Sequence, residues 1–387
     1  MALRGGRLSC AAALGSRRQA HRRPAGQLLS SNWVLDMENI RFLIAKMKAE
    51  LPPEAFQPQP ASALIDIPCL TIIIAGMWSL IHLSLPWYAA LTVAFFMGNA
   101  YATMGFLAHE ALHGSVFRSR KLQEVLGYLG FFVFCFSPYL WRFWHNQVHH
   151  GHTNQPDLDP DSYGTLERFK RVPQLKFQVK TAIGSGHWSS LFFLFYRFTY
   201  HAQIMIWLAS RNLPGFERMN RRRVIIESAM MALFWIALGI WGGFQVALFG
   251  IVIPMMIANF ILMSYISTNH FLRPLSQTDE ILVHSMSVRT WKWVDFLHLN
   301  FSHHVEHHIF PRMNHRFTPL VRKYLVKYAP DLYLAPPHWK AMWYLYKTPR
   351  VYLNDHTSID PFTGRTTDLR KLEAELKGQP LAITPSY

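Results

Sequence analysis

The stretch VALFGIVIPMMIANFILMSYIS, from Val246 to Ser267, runs without a single Asp, Glu, Lys or Arg and leads directly into Thr-Asn-His270. A helix needs about 20 predominantly apolar residues to cross a hydrocarbon core of about 30 Å, so this run reads as a membrane span. Three more runs resemble it: Ile67 to Leu85, Ala89 to Ala108 and Val224 to Trp241. The composition agrees, because 50% hydrophobic and 14% aromatic residues with only 16% charge over 387 residues is too apolar for an ordinary soluble chain. The expected fold is an all-α integral membrane protein with four transmembrane helices.

The basic residues orient these spans. The connections Ser84 to Tyr88 and Gly242 to Gln245 carry no charge, whereas the segment between the second and third runs holds Arg118, Arg120, Lys121, Arg142, Arg168, Lys170, Arg171 and Arg221 to Arg223, among others. Lys and Arg mark the cytoplasmic side, so both termini are expected there. The net charge of +16 expresses this bias and suits anionic headgroups or an acidic partner. With no nucleic-acid motif beside it, the charge does not point to nucleic acid. Cys10, Cys69 and Cys135 lack the spacing of a metal, redox or disulfide framework.

Along the chain, residues 1–36 form a basic extension. Its first 35 residues contain six arginines and no acid. It reads as a transit-like peptide, an unstructured arm, or sequence upstream of a true start at Met37. A proline-bearing cytoplasmic linker, 37–64, leads to the membrane domain, 65–345, and a cytoplasmic tail, 346–387, follows. The apolar stretch 122–144, broken at Ser137-Pro138, lies between two histidine clusters that share a side, so it is expected to be re-entrant or interfacial. The aromatic stretch 187–209, interrupted by Arg197 and His201, is expected at the headgroups.

Of 20 histidines, 11 fall within 109–152 and 298–308, where even scattering would place about three. They form His109-x-x-x-His113, His145-x-x-x-His149-His150 and His304-x-x-His307-His308. In a helix, spacings of three and four put the imidazoles on one face. Eight exceed what one zinc takes, and they suit two ions with open positions in a cytoplasmic cap. Ligand type alone admits iron, copper, nickel or zinc.

These three boxes, with Ile-Phe-Pro after the third, resemble the integral-membrane fatty acid desaturase family, acyl-lipid type, over roughly residues 65–345. The resemblance implies a di-iron centre that uses O₂ to place a double bond in a fatty acyl chain. It also implies His109, His113, His145, His149, His150, His304, His307 and His308 as ligands, with His270 as a ninth. One departure stands out: stearoyl-type members carry Asn four residues before that ninth ligand, and this chain has Ile266, leaving Asn269 as the nearest amide. No His-Pro-Gly-Gly cytochrome b5 signature occurs in the chain, so electrons are expected from a separate ferredoxin or cytochrome b5-like donor.

Ligating histidines usually donate their second N–H to a carboxylate or carbonyl. The alternating Asp157, Asp159 and Asp161 could serve, and Asp157, Asp161, Glu306 and Asn269 are the expected supports, with Glu110 a further candidate. A calcium loop is excluded because its sixth and twelfth positions would be Ser162 and Arg168, not Gly and Glu. Rival functions are a hydroxylase or carotenoid-type ketolase on the same scaffold, or a zinc protease using His109-Glu110-x-x-His113, which leaves two boxes unexplained. A metal transporter would carry more ionisable groups within its spans than His82 and Glu227.

Overall fold

The computed structural model describes residues 37–276 and 280–378, and it is helical apart from one small sheet. The extension 1–36 lies outside the described residues. Among the described residues, three helical elements are long and apolar enough to cross a membrane: Pro60–His82, Trp87–His113 and Arg221–Phe271. The chain is thus an integral, multi-pass membrane protein.

The last element contains both the third and the fourth expected runs. Its 51 residues, if straight, would reach about 77 Å, more than twice the hydrocarbon core. Gly243 divides it, with φ 73° and ψ −170°, a conformation open to glycine and strained for other residues. Past that reversal, Ala247 and Ile251 pack against Gly239, so the two legs form a hairpin. Counting both legs gives four spans.

The stretch between the first two boxes bends by 104° where Arg120–Phe134 meets Pro138–His152. Cys135 adopts a left-handed φ of 55° at the corner, and the Ser137 hydroxyl caps the new helix by accepting from the Tyr139 N–H. So sharp a bend fits the expected re-entrant course. The first limb lies tightly on Trp87–His113: a Cβ at Gly130 would stand 2.2 Å from the Met104 carbonyl oxygen, so only glycine permits the approach. Close backbone contact of this kind is a principal source of helix association in lipid, where the hydrophobic drive is weak.

Within 346–387, set apart above as a tail, the chain forms antiparallel strands Val351–Asn354, Thr357–Ile359 and Thr366–Asp368, then a helix, Leu369–Lys377. This unit is docked. Leu369, Leu372 and Leu376 are buried, Tyr352 Oη donates to the Arg273 carbonyl at 2.7 Å, and Arg273 pairs with Glu373 at 2.9 Å. It therefore closes over the end of the fourth leg, where His270 lies.

Candidate metal centre

Four segments deliver the histidines: the end of Trp87–His113, the second limb Pro138–His152, the end of Ile253–Phe271, and the short helix His304–Ile309. The second limb widens into a π-helical stretch over Arg142–His149, a distortion common at functional sites. There the Trp141 indole stacks on His145 at 4.3 Å. The third box follows two residues in left-handed conformation, Leu299 and Asn300. That turn is fixed by Asn300 N–H to the Asp295 carbonyl at 2.7 Å and the Asn300 amide to the His315 carbonyl at 2.9 Å.

The result is two adjoining clusters. Ligand atoms of His109, His113, His145, His150 and His307 lie within 4.8 Å of one another, as do those of His149, His270 and His308. His304 joins the second cluster, its Nε2 2.6 Å from Nε2 of His270. Nitrogens held about 2.0–2.1 Å from one ion stand roughly 3–4 Å apart, so both clusters suit metal binding. A second observation agrees: Nε2 of His113, His307 and His308 and Nδ1 of His304 are buried without a hydrogen-bond partner. A buried polar atom left unpaired costs about 1–3 kcal/mol, a penalty that coordination would remove. Burial first, then the neighbouring imidazoles, hold His304, His307 and His308 well below the ordinary histidine range. They are therefore neutral, the form that binds a metal.

The flanking carboxylates select the nitrogen that faces inward. His149 donates from Nδ1 to Asp159 at 3.0 Å, with Asp161 at 3.3 Å, leaving Nε2 free. His109 Nδ1 lies 3.2 Å from Glu110, and the same carboxylate is 3.8 Å from His307 Nδ1. Asp161 also accepts from Trp144 Nε1 at 2.7 Å and from His201 Nε2 at 2.9 Å. Burial would raise the Asp161 carboxyl, but His149, His201 and Trp144 outweigh it and hold it well below the usual range.

Several expectations need correction. Asp157, with φ 62°, turns outward to Arg168 and Arg171 and touches no histidine of the clusters; Asp159 fills the role assigned to it. Glu306 is fully buried, yet it receives Ser287, Tyr333 and Arg322, at 2.5, 2.5 and 2.9 Å, rather than an imidazole. It anchors the helix carrying the third box. Asn269, by contrast, keeps the role expected of it as a water-mediated support, its two amide atoms being buried with no direct protein partner.

Sequence reasoning missed Asn154. In left-handed conformation, it donates its amide to the carbonyls of His270, Pro274 and His284 at 3.1–3.3 Å and its backbone N–H to Asp159 at 2.7 Å. Its place in the turn-forming Asn-Gln-Pro after the second box was the available signal. Arg197 and His201, read as interruptions of an interfacial helix, are buried; Arg197 bonds His201, which bonds Asp161.

A small cavity of about 30 Å³ adjoins His145, His149, His270 and His304, walled by Trp141, Trp144, Phe198 and Met263. Arg197 and His201 separate it from a larger one of about 310 Å³ that is lined by Arg168, Arg171, Gln174 and Gln178.

A multi-pass membrane helix bundle with paired histidine clusters at one end of its spans has the donor set to hold metal ions. The family model described as fatty acid desaturase matches residues 16–340, and the chain belongs to that family. It is 23% identical over 332 residues to an sn-1 oleoyl-lipid 12-desaturase of Synechocystis sp., covering 79% of this chain and 88% of that one. It is 24% identical to the Delta(5) fatty acid desaturase fat-4 of Caenorhabditis elegans, over 60% of this chain and 57% of the other. A zeaxanthin 4-ketolase of Chlamydomonas reinhardtii matches at 26% identity over 26% of this chain and 29% of its own.

Proposed function

We propose that this protein is an O₂-dependent acyl-lipid desaturase that inserts a double bond into a fatty acyl chain. The observation carrying the proposal is the division of nine histidines into two adjoining clusters, matching the family's requirement for metal. His109, His113, His145, His150 and His307 would hold one iron, and His149, His270, His304 and His308 the other. The chemistry supplied by bound iron is the use of O₂ to remove two hydrogens from adjacent methylenes, a task beyond protein side chains alone.

The chain's own residues then have distinct tasks. Asp159 and Asp161 orient His149, and Glu110 orients His109. Trp141, Trp144, Phe198 and Met263 would form the apolar wall beside the histidines and exclude water. Arg168 and Arg171, lining the wider cavity beyond, suit the anionic end of an acyl substrate. The Lys/Arg distribution supports placing the histidines and both termini on the cytoplasmic side, where an external ferredoxin or cytochrome b5-like donor would deliver electrons.

The partial similarity to a ketolase favours one second reading, hydroxylation or ketone formation on the same scaffold. The zinc-protease reading is disfavoured because Glu110 is engaged by His109 and Ser115 and is not free to serve as a base. Gas chromatography of fatty acids from a host expressing the chain tests the proposal. A new unsaturated species supports it; an oxygenated product supports the second reading instead.

A further inference from the structure

A further large cavity is lined by none of the clustered histidines. It occupies about 810 Å³ between the first two spans and the segment 292–300. Its walls include Leu64, Ile72, Phe95 and Phe96, side chains exposed on spans that face lipid. Its roof is the short helix Lys292–Leu297, which exposes Trp293 and Phe296. Aromatic residues so placed sit at the level of the headgroups. The groove thus runs from the interface into the acyl region.

Two cations give it a basic rim. Lys292 and Arg316 line it, both exposed and with no side-chain ion pair among the described residues. Asp295, also lining it, is already engaged by Thr290 at 2.6 Å and Ser302 at 2.5 Å. Two free cations lining an otherwise largely apolar groove suit an anion that carries an acyl chain.

We infer that this groove binds one anionic glycerophospholipid from the surrounding bilayer. Its phosphate lies at Lys292 and Arg316 and an acyl chain lies along Ile72 and Phe95. The site is separate from the acyl cavity at the histidines, and it does not depend on which oxidation the protein performs. Its roof continues through the Leu299–Asn300 turn into the third box, so an occupant also braces that turn.

The test uses the full-length protein, delipidated in detergent and returned to nanodiscs of phosphatidylcholine, of phosphatidylcholine with phosphatidylglycerol, or of phosphatidylcholine with oleate. Bound lipid is read by native mass spectrometry. One retained phosphatidylglycerol per chain is expected, with retention falling about tenfold or more in Lys292→Glu/Arg316→Glu, which replaces both attractions with repulsions. Ala61→Trp, which fills the mouth from an exposed position, should also release it. Arg120→Glu/Lys121→Glu, a charge reversal away from the groove, should not. Equal retention of phosphatidylcholine and phosphatidylglycerol, unchanged by the reversal at 292 and 316, would overturn the inference by showing ordinary annular lipid. Retention of oleate that falls with the reversal at 292 and 316, together with no retention of phosphatidylglycerol, would overturn it in favour of a carboxylate site.

Discussion

His201 Nε2 stands 2.9 Å from one oxygen of Asp161, and the other oxygen of that carboxylate stands 3.3 Å from His149 Nδ1. A residue 52 positions along the chain thereby fixes the orientation of an imidazole in the second cluster. Partners of this kind typically change metal affinity by about 10–100-fold when removed. His201→Ala should therefore weaken iron retention by about tenfold, measured by competition with a chelator, and His201→Gln, which can still donate, should recover part of the loss. Unchanged retention in His201→Ala would reduce the contact to packing.

The two neighbouring aspartates separate cleanly. Asp159→Asn removes the charge facing His149 and should lower iron retention by at least about tenfold. Asp157→Asn removes only a partly exposed pairing with Arg168 and Arg171, a change expected to stay within about 0.5 kcal/mol of stability with iron unaffected. Chelator competition and thermal unfolding on the same preparations distinguish them.

Acid should loosen the C-terminal unit before the bundle. Burial would raise the Glu373 carboxyl, but Arg273 and Lys377 outweigh it and hold it below its ordinary value of 4.5. A carboxyl lowered by folding stabilises fully above its unfolded value, and that contribution is lost as pH falls through the folded one. Limited proteolysis of residues 346–378 should thus be flat from pH 8 to 6 and accelerate below about pH 4.5. Glu373→Gln should cleave readily at every pH, because it leaves Arg273 buried without its counter-charge.

Electron delivery to a basic face should depend on salt. With an acidic donor, turnover should fall several-fold between about 20 and 500 mM salt, as the screening length shrinks from roughly 20 Å to roughly 4 Å. A rate independent of salt would exclude electrostatic docking as the means of encounter.

The spans and boxes were legible because each rests on a local regularity. Long apolar runs between uncharged turns give the four legs, and spacings of three and four residues give imidazoles on one helical face. His270 is placed by the resemblance to the desaturase family, not by any spacing, since it stands alone at the end of the run from Val246. Other contacts depend on irregular backbone. Which of Asp157, Asp159 and Asp161 faces inward is decided by left-handed residues at Asn154 and Asp157, and no period in the sequence encodes that. Arg197 and His201 looked like polar breaks in an apolar helix because their partner, Asp161, lies on another segment. The strands after Val351 have three or four residues each, too few for alternation to register.

Iron analysis of the purified chain tests the central claim most directly. Two clusters of five and four imidazoles should retain about two iron atoms per chain, and His270→Ala, which opens only the second cluster, should retain about one while still inserting in the membrane. One zinc and no iron, or a single iron whose retention is indifferent to both His270→Ala and His304→Ala, would contradict the account.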